Sequence, residues 1–167
     1  MRRHKHTAGA LEDRPVPVQA KLAAAWTSFM FLYAYVDILG LYMPGVIDDI
    51  LAGIVWELQI TQAWALGALT LMAIPILMVI GSMTMPARRN RVTNLAVASV
   101  YVLVTVGNAL GEAWTYYFAL AVAFEVSILA LVIRWAWTWP RTARTPTMRH
   151  ENVQDPATSK APSAFVP

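Results

Sequence analysis

The sequence predicts an all-α membrane protein, a bundle of four transmembrane helices with an amphipathic helix on its outer face between the first two. Three observations support this fold class. Hydrophobic residues make up 57% of the chain, more than an average soluble domain carries. All 13 lysines and arginines fall within residues 1–21, 88–91 and 134–160. The long segments between these stretches are apolar and contain no basic residue, which is the charge pattern of a polytopic membrane protein.

Four apolar segments are long enough to cross a bilayer, since about 20 apolar residues span its hydrocarbon core. We predict helices over about 21–43, 61–85, 92–110 and 114–139. Thr61 is the predicted N-cap of the second helix, and Pro86 with the basic turn 88–91 ends it. Pro75, in the middle of that helix, removes an internal hydrogen bond and predicts a kink.

Four spans place both termini and the basic turn on one side of the membrane, the cytoplasmic side by the positive-inside rule. We therefore predict a transmembrane domain at 21–140 in the inner (plasma) membrane, with N-in and C-in topology. Residues 1–20 and 141–167 are rich in Pro, Ser, Thr, Ala and charge, so we predict disordered tails. The aromatic residues near the predicted inner ends indicate an interfacial belt: Trp26, Trp135, Trp137 and Trp139.

The segment between the first two predicted spans has helical periodicity. Its apolar residues recur at the 3.6-residue spacing of one helix face over 47–58. Continued straight into the next span, this helix would be about 58 Å long, far more than a bilayer requires. We therefore predict a separate interfacial helix at 47–58, either as a surface connector or as a lid over an outward-facing cavity.

Two carboxylates fall inside predicted spans. Asp37 lies in the outer third of the first helix, and Glu125 lies near the middle of the fourth. Charged side chains at such depth are costly, so they face the bundle interior and are commonly functional or paired. Neither has a basic partner within the membrane, and low-dielectric surroundings disfavour an unpaired charge. Asp37 and Glu125 are therefore the candidate catalytic or proton-binding residues.

Polar residues on the third helix recur at intervals that place them on one face, which must point away from lipid. Together with Tyr33 of the first helix and Gln62 of the second, these residues predict a pocket that opens toward the outer side and ends near Glu125. The predicted lining residues are Tyr33, Gln62, Tyr101, Thr105, Asn108 and Glu112. The alternative interpretation is that these side chains hydrogen-bond one another across helices and hold the bundle together.

Several chemistries find no support in the sequence. There is no cysteine, which excludes disulfides, thiol catalysis and cysteine-ligated metal. The three histidines, His4, His6 and His150, lie in the tails, so we expect no metal site and no cofactor. The basic residues are too dispersed for nucleic acid. The expected partners are membrane lipid and either further copies of the chain or a larger membrane protein.

Several local motifs suggest a family. They begin at Tyr33 (YAYVDIL), Gln59 (QITQ), Ala73 (AIP), Asn90 (NR, then Asn94) and Trp135 (WAWTWP). Residues 20–140 resemble a family of small bacterial four-helix membrane proteins of unknown function. The layout is also similar to that of DoxX-like proteins, an analogy of topology alone. The resemblance implies a bacterial inner-membrane protein and carries no activity.

Three functional hypotheses remain open. The first is a proton-coupled small-solute transporter in which Asp37 and Glu125 exchange protons. The second is a membrane-embedded isomerase or cyclase for an apolar substrate, with Glu125 as general acid and Asp37 as base. The third is an accessory or scaffold subunit without activity of its own, whose polar face serves helix packing.

Overall fold

The computed structural model describes residues 15–55, 57–110 and 114–140 of the chain. Three of its helices, α1, α3 and α5, are long and apolar enough to cross a membrane. The elements in chain order are α1 (Val18–Gly40), α2 (Val46–Leu51), β1 (Ile54–Val55), β2 (Leu58–Gln59), α3 (Gln62–Thr84), α4 (Ala87–Asn108) and α5 (Thr115–Trp137). The predicted tails lie outside the described residues apart from 15–20, of which Val18 already begins α1.

The four long helices pack side by side. Helix α1 packs against α3 and α5, and α4 packs against α5 and more sparsely against α3. Neighbouring helices run antiparallel, since Tyr117 near the start of α5 reaches Val36 near the end of α1. The predicted N-cap is confirmed, because the Thr61 side chain accepts a hydrogen bond from the backbone N–H of Trp64 at 3.2 Å.

The core is built mainly from one face of α1 and the facing sides of α4 and α5. Leu22, Trp26 and Phe29 are fully buried. The other buried apolar residues of the core cluster are Ala25, Tyr33, Met78, Ala98, Tyr101, Leu129, Val132 and Ala136. Large apolar side chains such as Leu66, Leu77 and Leu103 are exposed on the outside of the bundle. An apolar exterior around a packed core suits a lipid environment.

The turn between α3 and α4 is shorter than predicted. Helix α4 begins at Ala87 rather than Val92, so Arg88, Arg89 and Arg91 lie in its first turns. Pro86 directly precedes the helix, where its fixed φ is compatible with a helix start and its missing N–H removes no hydrogen bond within α4. Arginine is also a good helix former. These local preferences extend the helix through the residues predicted to form a turn.

The prediction of one helix over 47–58 is wrong beyond Leu51, where α2 ends. Gly53 adopts a positive φ of 79°, a conformation that ends helices. The chain then forms a small antiparallel hairpin in which Val55 pairs with Leu58. The backbone N–H of Ile60 donates to the carbonyl of Gly53 at 2.8 Å and closes this hairpin. The apolar periodicity of the sequence did not indicate that the helix ends before Gly53.

The assignment of Trp26 to an interfacial belt is wrong, because its side chain is fully buried in the core. An indole buried this deeply requires an acceptor for its N–H. That acceptor is the buried side chain of Asn94.

The antiparallel packing separates charge between the two ends of the bundle. The described cations lie where α1 begins, α4 begins and α5 ends, which we call the basic end: Lys21, Arg88, Arg89, Arg91 and Arg134. Asp37, Asp48, Asp49 and Glu57 lie at or near the opposite end, which we call the acidic end. Glu125 lies between the two ends, midway along α5.

Candidate functional site: the buried polar face of helix α4

Helix α4 turns a row of polar side chains into the bundle. Asn90, Asn94, Tyr101 and Thr105 are all buried, with Ala98 completing the row. Their spacing of three or four residues places them on one side of the helix. Asn108, one further turn along, is partly buried. The row contacts each of the other three long helices, so α4 is the polar centre of the fold.

At the basic end, Asn94 is the centre of a cluster of hydrogen bonds. Its Oδ1 accepts from Trp26 Nε1 at 2.7 Å and from Ser82 Oγ at 3.4 Å. Its Nδ2 donates to Asn90 Oδ1 at 2.6 Å. We call Trp26, Ser82, Asn90 and Asn94 the asparagine cluster. It joins α1, α3 and α4, and every member is fully buried.

Two side chains of α4 hydrogen-bond carbonyls that prolines leave without a helical donor. A helical N–H normally donates to the carbonyl four residues earlier, and proline has no N–H. Pro75 thus leaves the carbonyl of Leu71 without its donor, and the Tyr101 hydroxyl donates to it.

The second proline acts in the same way. Pro86 leaves the carbonyl of Ser82 without its donor, and Asn90 Nδ2 donates to it at 2.6 Å. Unsatisfied backbone carbonyls are costly where water is excluded. Helix α4 therefore supplies the two donors that the sequence of α3 and the following turn requires.

An aromatic layer fills the core beside the asparagine cluster. The rings of Trp26 and Phe29 both meet the Tyr101 ring nearly at right angles, with centroids 6.2 Å and 5.8 Å away. Tyr33 extends the layer toward the acidic end, 5.8 Å from the Phe29 ring. Edge-to-face packing of this kind is favourable beyond the area it buries. Trp26 belongs to both the cluster and the layer, and Phe29 and Tyr101 follow it toward the acidic end along α1 and α4.

Glu125 lies on the acidic-end side of this layer. Its side chain is 4% exposed, and its Oε2 accepts a hydrogen bond from Thr105 Oγ1 at 2.8 Å. Within the described ranges no cation approaches it, since Lys21 and the arginines lie at the basic end. Glu125 is thus a buried carboxyl group whose described hydrogen-bond partner is a neutral hydroxyl.

Two further hydrogen bonds close the bundle around Glu125. Asn108 Nδ2 donates to the Tyr33 hydroxyl at 2.7 Å and joins α4 to α1. The Tyr117 hydroxyl donates to the carbonyl of Val36 at 2.8 Å and joins α5 to α1. Of the predicted lining residues, Thr105 thus bonds Glu125, and Asn108 bonds Tyr33.

Asp37 is placed differently from the prediction. It lies one turn after Tyr33 on α1 but is exposed, so it does not face the bundle interior. Asp37 lies in the last turn of α1, which ends at Gly40. Asp37 and Glu125 are still close enough for an electrostatic interaction. The two acids occupy the mouth and the interior of one region.

Two predicted lining residues remain. Gln62 is exposed at the first position of α3. Glu112 lies outside the described residues. A surface depression of about 310 Å³ is lined by Trp114, Thr115, Tyr116 and Tyr117, and it contains none of the predicted site residues.

Sequence reasoning missed three members of the asparagine cluster. Asn90 is one turn before Asn94 and continues its face, but we predicted a turn there. Trp26 was assigned to the interface, and Ser82 resembles many small residues in apolar helices. The spacing of Asn90 from Asn94 was the signal that could have identified the cluster.

Metal binding requires a cluster of metal-ligating side chains. The described part of the chain contains no group of three or more His, Asp or Glu side chains that could hold a metal ion.

Three apolar helices of membrane-spanning length, packed with a fourth that keeps its polar face inside, are the features of a helical membrane protein. The chain belongs to DUF6326, a family of unknown function whose profile matches residues 16–145. This match confirms the resemblance to an uncharacterised family. The comparisons with curated proteins and with solved structures give no match.

Proposed function

We propose that the chain is a plasma-membrane protein with four spanning helices and with both termini in the cytoplasm. Helix α4 is the proposed fourth span, since its 22 residues correspond to about 33 Å. Its polar side chains are partnered inside the bundle and therefore do not exclude it from lipid. The clustering of the described cations at one end supports the orientation, because cytoplasmic segments are enriched in Lys and Arg.

Alkaline phosphatase fusions test this topology. The enzyme is active only outside the cytoplasm, so a fusion after Leu110 should be active and one after Pro140 inactive. The opposite pattern would contradict the orientation. Equal activity of the two fusions would contradict the assignment of α5 as a span.

For activity, we propose proton-coupled transport of a small solute, with Glu125 as the proton-binding group. The observation that carries this proposal is a buried carboxyl group that accepts from Thr105 and has no described cation beside it. A structural hydrogen bond would be met at lower desolvation cost by Asn or Gln. Asp37, exposed toward the acidic end, would form the outer approach to Glu125.

The aromatic layer defines the conformational step that transport requires. Phe29 and Tyr101 pack against each other in the core, on the acidic-end side of Trp26 along α1 and α4. In this proposal, exchange with the acidic end requires opening of the Tyr33–Asn108 and Tyr117–Val36 hydrogen bonds, and exchange with the basic end requires rearrangement of the aromatic layer. Alternating access by movement of packed helices is the general form of such a step.

Proteoliposomes that contain a trapped pH dye test the activity. Amino acids, sugars and short carboxylic acids are added one at a time, and the internal pH is followed. At least one solute should produce a pH change that Glu125→Gln abolishes. Tyr116→Phe, which alters a side chain that is 94% exposed, is the matched control and should retain it. The absence of a solute-dependent pH change across the panel, or a response unchanged in Glu125→Gln, would contradict the proposal.

A second candidate function is an accessory or scaffold subunit. It is favoured by the completeness of the polar packing, because no fully buried side-chain N or O atom of the described residues lacks a hydrogen-bond partner. Under this proposal Glu125→Gln is silent in cells, and affinity purification in mild detergent recovers a larger membrane protein. Purification of the chain without any partner would contradict it.

A further inference from the structure

The basic end carries an exposed cationic surface beside an exposed aromatic ring. We call Arg88, Arg89, Arg91, Arg134 and Trp137 the basic rim. They come from the start of α4 and the last turn of α5, two helices packed against each other. Arg88, Arg89 and Arg134 are exposed, and Trp137 is 67% exposed. The basic rim is therefore accessible to a ligand outside the bundle.

One contact organises the rim. The guanidinium of Arg91 lies over the Trp137 ring, 5.7 Å from its centroid, which is a cation–π arrangement. Arg134 is three residues before Trp137 on α5, and Arg88 is three residues before Arg91 on α4. Residues at this spacing share a helix face. The contact therefore brings two basic faces, one from each helix, to the same site.

The helix dipole does not account for the three arginines of α4, because they lie in its first turns, where the dipole disfavours cations. None has a carboxylate nearby in the described part of the chain, because Asp37, Asp48, Asp49 and Glu57 are at the acidic end and Glu125 is in the core. A basic surface without a carboxylate partner among the described residues favours an external anion.

The surroundings of the rim define the kind of anion. Three exposed apolar residues lie close to the rim residues along the chain. They are Met83 near the end of α3, Val92 next to Arg91 in α4, and Leu131 one turn before Arg134 in α5. A ligand that lies against both surfaces must carry an anionic group and a hydrocarbon chain together. Arginine binds phosphate oxygens with paired N–H donors.

We propose that the basic rim binds the phosphodiester headgroup of an anionic phospholipid in the cytoplasmic leaflet, with Trp137 at the headgroup level. This inference rests on the proposed membrane embedding and orientation, and it is independent of transport by Glu125.

Native mass spectrometry of the full chain, purified in detergent, tests the inference. Phosphatidylglycerol and phosphatidylcholine with identical acyl chains are compared, since the first has a net negative headgroup and the second has none. The wild type should retain phosphatidylglycerol preferentially. Arg88→Gln with Arg91→Gln should weaken this binding about 30-fold, because each cation near a lipid surface contributes about 1 kcal/mol.

The matched control removes two cations elsewhere. Arg2→Gln with Arg3→Gln lowers the net charge by the same amount and should leave the preference unchanged. Arg134→Gln, on the other helix of the rim, should weaken binding about 5-fold. This variant tests the inference if the α4 variant fails to fold. Arg88→Lys with Arg91→Lys should retain much of the preference.

Three results would overturn the inference. The first is equal retention of the two lipids by the wild type. The second is an equal loss in the rim variant and in the Arg2/Arg3 variant, which would assign binding to net charge. The third is binding of soluble glycerol phosphate as strong as that of phosphatidylglycerol, which would identify a free-phosphate site. None of these measurements depends on transport, so failure of either proposal is distinguishable from failure of the other.

Discussion

The hydroxyl of Tyr101 donates to the one carbonyl in the middle of α3 that Pro75 deprives of a helical donor. The tyrosine and the proline lie on different helices and do not need to touch, because the carbonyl of Leu71 connects them. Asn90 performs the same function for the carbonyl of Ser82 at Pro86. The polar face of α4 therefore supplies hydrogen-bond donors to two backbone carbonyls of α3 and also holds the helices together.

Tyr101→Phe should destabilise the bundle by about 1–2 kcal/mol, since it keeps the ring and leaves the Leu71 carbonyl buried without a donor. Pro75→Ala restores a backbone N–H four residues after Leu71. In the Pro75→Ala background, the cost of Tyr101→Phe should therefore fall below about 0.5 kcal/mol. Unfolding in mixed detergent micelles, followed by circular dichroism, measures all four proteins of this cycle.

Tyr116→Phe is the control for this cycle, because that side chain is 94% exposed, and it should leave stability unchanged in both backgrounds. Strict additivity of the Tyr101 and Pro75 substitutions would contradict the proposed relationship.

Asn94→Ala should cost about 1–3 kcal/mol, because it leaves the Trp26 indole N–H buried without an acceptor and removes the donor to Asn90. Ser82→Ala should cost less than about 1 kcal/mol, since it removes a single long bond of 3.4 Å. The same unfolding measurement ranks the two variants. A greater loss in Ser82→Ala than in Asn94→Ala would show that Asn94 is not the centre of the cluster.

Substitutions at the Glu125 pair should separate stability from activity. Glu125→Gln retains an oxygen that can accept from Thr105, so stability should change by less than about 0.5 kcal/mol while proton-linked flux is lost. Thr105→Val removes the donor to a buried carboxyl group and should cost about 1–3 kcal/mol. Thr105→Ser keeps the hydroxyl and is the matched control. Unfolding of the Glu125→Gln protein under conditions where the wild type is stable would contradict this separation, and a stable, fully functional Glu125→Gln protein would support the scaffold function.

Gly53→Ala should disrupt the hairpin at 54–59. Gly53 has a φ of 79°, and a Cβ there meets nothing within 4 Å, so the cost is backbone strain of about 1–2 kcal/mol. Gly67→Ala also meets no neighbour but lies inside α3 with ordinary helical geometry, so it should be neutral or stabilising.

Hydrogen exchange of the Ile60 amide, which donates to the Gly53 carbonyl, reports the difference locally. The exchange should accelerate in Gly53→Ala and remain at the wild-type rate in Gly67→Ala. Equal protection in both variants would contradict a role for the positive φ.

Much of the helical layout followed from local pattern. The apolar segments of α1, α3 and α5, the N-cap at Thr61 and the inward direction of Tyr101 and Thr105 were all predictable from spacing and hydropathy. The prediction was wrong where two local features of the sequence indicated different structures. The periodicity over 47–58 suggested one helix, and the backbone of Gly53 ended it.

The site was less predictable than the helices. Glu125 was identified from its depth, and its burial agrees with that identification. Asp37 carried the same signal but lies on the last turn of α1, where helix length and packing leave it exposed. Depth along one helix cannot show how far the neighbouring helices extend beside it.

The sequence by itself determined where the apolar helices lie and which charges collect at each end, because hydropathy, proline position and charge are properties of single residues and short segments. The tertiary structure decided which donor satisfies each acceptor. Trp26 is paired with Asn94, Tyr101 with Leu71 and Thr105 with Glu125 across sequence separations of 20 to 68 residues. Such partners depend on helix order and rotation, and these are set by the packing of all four long helices together.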